Sequence, residues 1–132
     1  TDIINGDTLE INVQIVKNIA GKLDTTIAVS GPIDIVSNGK EVYALKNGNP
    51  MMANITGTGC MLGCIMGAYA AIDDSLLAAI TATTVMSIAG EIAAKTATDN
   101  NQGTGSFGTY LIDELSKMNP ETFKEYANIT KI

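Results

Sequence analysis

Histidine and tryptophan are absent from these 132 residues, and there are only two cysteines, two phenylalanines and three prolines. Without histidine, a Ser-His-Asp or Cys-His catalytic arrangement and any histidine metal ligand are excluded. The two cysteines, Cys60 and Cys64, stand four apart. On a helix that spacing puts them on one face without favouring a disulfide, and it is neither a CxxC redox motif nor a zinc set. No secretory leader opens the chain, so a reducing, cytoplasmic setting is expected. The two Asn-x-Ser/Thr triplets, at Asn54 and Asn128, then carry no weight. Positive charge is also scarce: eight Lys and Arg stand against fourteen Asp and Glu, a formal net charge of −6. With no basic cluster, nucleic acid is not an expected partner.

What is present is an apolar, globular composition, 45% hydrophobic and 17% charged, of a size for one domain. Asp7 with Glu10 resembles a capping box that opens a helix. Leu9, Val13, Val16, Ala20 and Leu23 follow at helical spacing on one apolar face. Gly21 and Asp24 mark its expected end. Residues 25–30, TTIAVS, read as a buried strand broken by Gly31-Pro32. IDIVS and KEVYALK flank Asn38-Gly39, a strong hairpin signal, and Asn47-Gly48-Asn49-Pro50 closes that unit with a second turn. Helices are expected over about 57–72, from Asp73-Asp74-Ser75 to about Thr98, and from Phe107, with a polar loop at 99–106. Phe107, Leu111 and Leu115 share a face of the last helix. The order predicts an α/β fold with helices packed on a sheet. Three strands are too few to cover helices this apolar, so the chain reads as half a domain. A start at Thr1 rather than Met is compatible with a trimmed or split polypeptide.

Ile55 to Ile72 holds no charged residue, and three readings compete for it. Eighteen residues sit at the lower bound of a membrane span, about 17–25 residues. The Thr-Gly-Thr-Gly front end shortens the apolar part, and no basic flank follows, so no membrane association is expected. A buried helix whose glycines at 59, 63 and 67 form a packing face accounts for the body of the segment. The front end, TGTGC, suits an anion: glycines at a helix start leave backbone N–H groups free at the positive end of the helix dipole. It is not a Walker A motif. A helix N-terminus favours thiolate, and Cys60 stands in the first turn, where it could accept the proton of an attacking hydroxyl. The bland alternative for Cys60 is a small buried hydrophobe, the reading expected for Cys64.

NGNPMMANITGTGCMLGCIMGAYAAI resembles the nucleotide-side half of hydroxyethylthiazole kinases, within the ribokinase-like superfamily. Hydroxymethylpyrimidine phosphate kinases carry a similar GTGC element. IAVSGPIDIVSNGKEVYALKNGNP and GTGSFGTYLIDEL, which look like the thiazole-kinase hairpin and closing helix, favour the first family over residues 25–117. The resemblance implies the C-terminal portion of a three-layer α/β/α ribokinase-like fold spanning 1–132. It implies ATP-dependent, Mg²⁺-assisted phosphorylation of 4-methyl-5-(2-hydroxyethyl)thiazole at its alcohol, a thiamine salvage step. By matching position, Gly57, Thr58, Gly59 and Cys60 form the anion hole, Gly57 lies near the thiazole and Cys60 is the base. Ser30, Gly31 and Asp34 are on the ATP side, and no metal ligand falls in this chain. Pro32 and Thr104 depart from the usual Glu and Pro of the family. The resemblance further implies a homotrimer with sites between subunits. The acidic metal-associated residues and most of the thiazole pocket would then lie in a missing N-terminal half or partner chain, leaving this piece alone inactive. Two other functions remain open at this level: a pyrimidine or related vitamin kinase, and a non-catalytic nucleotide- or phosphate-binding subunit or proteolytic remnant.

Overall fold

The computed structural model describes the backbone over residues 6–132 and the side chains from residue 8 onward. The expected Asp7 cap lies outside the described side chains. Helix α1, Gly6–Leu23, buries Val13, Val16 and Ala20 as the periodicity requires, with Leu9 half-buried. Leu23 departs from that face and is exposed at 65%, because the helix ends there. Asp24 takes a left-handed conformation (φ 48°) and the Thr25 amide reaches back 3.1 Å to the Ala20 carbonyl, which closes the last turn. Gly21 is not a terminator. It lies inside the helix, where Gly39 of the hairpin packs directly on it.

Strands β1 (Ile27–Val29), β2 (Asp34–Ser37) and β3 (Val42–Leu45) follow, all antiparallel, and a fourth strand, β4 (Ile129–Lys131), adds to β3. The sheet order is β1-β2-β3-β4. The expectation of a buried first strand is corrected: among the described residues β1 is an edge strand, with Ala28 and Val29 exposed. The Asn38-Gly39 hairpin forms as the turn chemistry predicts. The Asn38 carboxamide oxygen accepts from the Lys40 and Glu41 amides at 3.0 and 2.8 Å.

Strand alternation sends Ile35 and Val42 to one face, where they meet Val13 and Val16 of α1. Val36 and Leu45 point to the other face, against Leu76, Ala79 and Ile80. Those last three belong to α3, Ser75–Asp99, so the sheet lies between helical layers. Asp74 caps α3 by accepting from the Leu76 and Leu77 amides at 2.9 and 3.0 Å. Helix α3 is long and apolar enough to span a bilayer, but 72% of its most apolar window is buried inside this fold, which makes it a core helix. Met86, Ala89, Ala93 and Ala97 of α3 pack with Phe107 and Leu111 of α4, Thr104–Lys117. Since α4 begins at Thr104, the expected loop at 99–106 shrinks. Helix α5, Pro120–Tyr126, was not foreseen; Asn119 caps it, accepting from the Thr122 amide at 3.0 Å, and Pro120 takes its first turn.

Helix α2 spans Thr58–Ala70, preceded by a 3-10 turn at Pro50–Asn54. Its 13 residues reach about 20 Å at 1.5 Å per residue, short of a bilayer core of about 30 Å. The expectation of a buried helix is also corrected. No residue of α2 is buried, and a Cβ added at Gly59, Gly63 or Gly67 would meet nothing within 4 Å. Met61, Leu62 and Ile65 rest on the α3–α4 core, while the small residues face outward.

Candidate functional site

The N-terminus of α2 is built from glycine and backbone. Gly57 is its N-cap at φ 100°, a conformation that a side chain would strain. No side chain caps this end, and the first helical bond runs from the Met61 amide to the Gly57 carbonyl at 2.9 Å. The amides of Thr58, Gly59 and Cys60 therefore have no partner within the helix and face its N-terminal end. The Thr58 hydroxyl is turned away to the Met52 carbonyl at 3.4 Å, and Gly59 adds no side chain. Donors at the positive end of a helix are the arrangement that anions take.

This end opens on a cavity of about 590 Å³. Thr58 and Gly59 form one side of it, and Ser30, Gly31 and Asp34 form another. Residues that stand more than twenty positions apart in the sequence thus meet at one space. Gly57 and Cys60 belong to the same helix start but do not line the cavity; Cys60 is exposed beside it, and Cys64 is exposed one turn on. The remaining walls mix polar and apolar groups: Asn47 and Asn49 with Pro50, and Ser87 with Met86.

Asp34 shapes this space. It is 8% exposed; its Oδ1 accepts from the Gly31 amide at 2.9 Å and its Oδ2 from the Ser87 hydroxyl at 3.3 Å. Burial pushes the carboxyl above the ordinary aspartate value, and the two hydrogen bonds partly offset that rise. Folding therefore favours the protonated form. Its contribution to stability is complete below the unfolded-state value, about 3.9, and is lost as pH rises through the higher folded value. Asp34→Asn mimics the protonated group and keeps an acceptor for Gly31. Relative to the parent, the variant is expected to gain stability as pH rises from 3 to 7. Urea midpoints of both proteins at the two pH values check this, and a constant difference would contradict it.

Sequence reasoning missed Ser87, Asn47 and Glu91 as parts of this region. The Asn47–Pro50 turn was visible, but nothing local said that it would wall a cavity. Mg²⁺ finds no ready site: among the described residues no three Asp, Glu or Cys side chains converge, and Asp34, the one acid on the cavity, already accepts two hydrogen bonds. These residues do not by themselves form a magnesium centre.

The sequence pattern of the hydroxyethylthiazole kinase family matches residues 2–121. The chain belongs to this family. It is 63% identical over 131 residues to hydroxyethylthiazole kinase 1 of Methanosphaera stadtmanae, covering 99% of this chain and 46% of that protein. It is 48% identical to hydroxyethylthiazole kinase 2 of the same organism, with the same coverages. The solved hydroxyethylthiazole kinase structure from Pyrococcus horikoshii OT3 superposes with a TM-score of 0.85 at 32% identity, over 94% of this chain and 47% of that one. The chain thus spans just under half the length of these relatives. Within the family fold, the uncapped start of α2 and the hairpin turn at Ser30–Asp34 sit at one cavity.

Proposed function

We propose that this chain is the C-terminal, nucleotide-side half of a kinase that transfers the γ-phosphoryl group of ATP to the hydroxyethyl group of 4-methyl-5-(2-hydroxyethyl)thiazole, for thiamine salvage. The observation that carries the reading is the meeting of Ser30, Gly31 and Asp34 with the free amides of α2 at one cavity. In this scheme the amides of residues 58–60 hold the transferring phosphoryl oxygens. Cys60 takes the proton of the substrate alcohol. The alcohol oxygen forms its bond to phosphorus as the bond to the ADP oxygen breaks, and the charge that builds on the phosphoryl group meets the helix amides. Mg²⁺ bound with the nucleotide would neutralise phosphate charge, and its protein ligands would lie in the other half.

A second half also accounts for apolar surface left open here. Ile11, Ile15, Ile19 and Leu23 form an exposed stripe on α1, Val29 is exposed on the free edge of β1, and an apolar cavity of about 210 Å³ lies between them. Surface of this kind marks an interface. The complete protein is proposed to be a cytoplasmic homotrimer with its sites between subunits, and this chain alone to be inactive. The test is turnover of the complete protein with ATP and either the thiazole alcohol or hydroxymethylpyrimidine. Phosphorylation of the thiazole is expected to dominate. Preference for the pyrimidine, or ATP binding without transfer to either alcohol, would overturn the assignment.

A further inference from the structure

The turn at residues 47–50 forms a wall of the cavity, and it is held from behind. Asn47, two residues past β3, is 7% exposed and uses its whole side chain. Its Oδ1 accepts from the Asn128 amide at 2.7 Å, and its Nδ2 donates to the Tyr126 carbonyl at 2.9 Å and to both oxygens of Glu91 at 3.2 Å. Glu91 Oε1 also accepts from the Gly48 amide at 2.8 Å. Glu91 itself does not line the cavity, whereas Asn47, Gly48, Asn49 and Pro50 do. From Gly48 the constraint runs on along the chain. The Asn49 side chain accepts from the Met51 amide at 3.0 Å to open the 3-10 turn, and the Met52 carbonyl receives the Thr58 hydroxyl at the start of α2.

Glu91 stands four residues after Ser87 on α3, so the two share a helical face. Ser87 holds Asp34, and through it Gly31, on one wall; Glu91 holds Asn47 and Gly48 on the other. From this geometry we infer that Glu91 is a positioning residue for the nucleotide: by gripping the Gly48 amide and the Asn47 carboxamide it sets the separation of the two cavity walls. A carboxylate suits the task because it accepts from both donors at once, and such charge-assisted bonds are stronger than neutral ones. Gln at this position can serve Gly48 with its oxygen, but then turns an NH₂ towards the donor of Asn47, which the C-terminal segment holds in place.

The inference rests on the nucleotide reading of the cavity. Two variants of the complete protein, Glu91→Gln and Glu91→Ala, test it by ATP calorimetry and by steady-state kinetics. ATP is expected to bind about tenfold more weakly to Glu91→Ala, the scale of one lost charge-assisted hydrogen bond, and about threefold more weakly to Glu91→Gln. KM for ATP should rise in parallel, while kcat and KM for the alcohol stay within about twofold. If Glu91→Ala does not fold, Glu91→Gln decides alone. A fall in melting temperature with unchanged ATP affinity would reduce Glu91 to an anchor of the C-terminal segment and overturn the inference. So would a fall in kcat at unchanged KM. Failure of the parent protein to bind ATP would instead sink the nucleotide reading itself, and this inference with it.

Discussion

Cys60→Ala in the complete protein is expected to lower kcat about a hundredfold, the lower end of what a positioned acid or base contributes, and to leave KM for ATP within about twofold. The separation follows from how the site is built. In the proposed scheme the phosphate is met by the backbone amides of residues 58–60, and alanine keeps all of them. Only the thiol is removed. It is exposed at the mouth of the uncapped helix start, where an arriving alcohol can reach it. Cys64 provides the internal control, since it is also exposed but one helical turn farther from the free amides. Cys64→Ala should therefore leave kcat unchanged. Cys60→Asp, which returns a proton acceptor to the same place, should recover a measurable part of the rate. An unchanged kcat in Cys60→Ala would leave the anion site standing and remove the thiol from the proton transfer.

The front end of α2 was legible because its chemistry is local: glycines and a helix start define free amides without reference to any distant residue. The same holds for the Asp74 cap and the Asn38-Gly39 hairpin. The body of α2 was misread for a physical reason. Eighteen uncharged residues report that a partner is apolar, but not that this partner lies within the chain. Here the small outward residues Gly59, Cys60, Gly63, Cys64, Gly67 and Ala68 remain exposed. The last strand was hidden differently. Three residues make β4, and its pairing of Ile129 with Leu45 spans most of the chain, so no local period announces it. The Asn119-Pro120 pair could have flagged α5, since Asn favours the cap and Pro the first turn. Ser87 and Glu91 also left a faint mark. They are two polar residues, one turn apart, in an otherwise apolar stretch of α3. That spacing shows a shared face but not what the face holds.

Gly39→Ala is expected to destabilise the fold by about 2–6 kcal/mol, the sum of a strained backbone and an overpacked contact of about 1–3 kcal/mol each. Gly39 has φ 86°, a conformation that L side chains rarely adopt. A Cβ there would also lie 2.5 Å from Gly21 Cα and 2.6 Å from Gly21 N. Those atoms belong to the backbone of α1, which cannot swing aside as a flexible side chain does. Relief requires the hairpin to lift from the helix, and that opens the cluster of Val13, Val16, Ile35 and Val42 between them. Set against a total stability of about 5–15 kcal/mol, the loss is a large share. The other side of the same contact behaves oppositely. A Cβ on Gly21 meets nothing nearer than 3.8 Å, and Gly21 lies within the helix, where alanine is favoured by about 0.5–1 kcal/mol. Urea unfolding should therefore move the midpoint down for Gly39→Ala and slightly up for Gly21→Ala. Equal midpoints would mean that Gly39 does not pack on the backbone of α1 in this close contact.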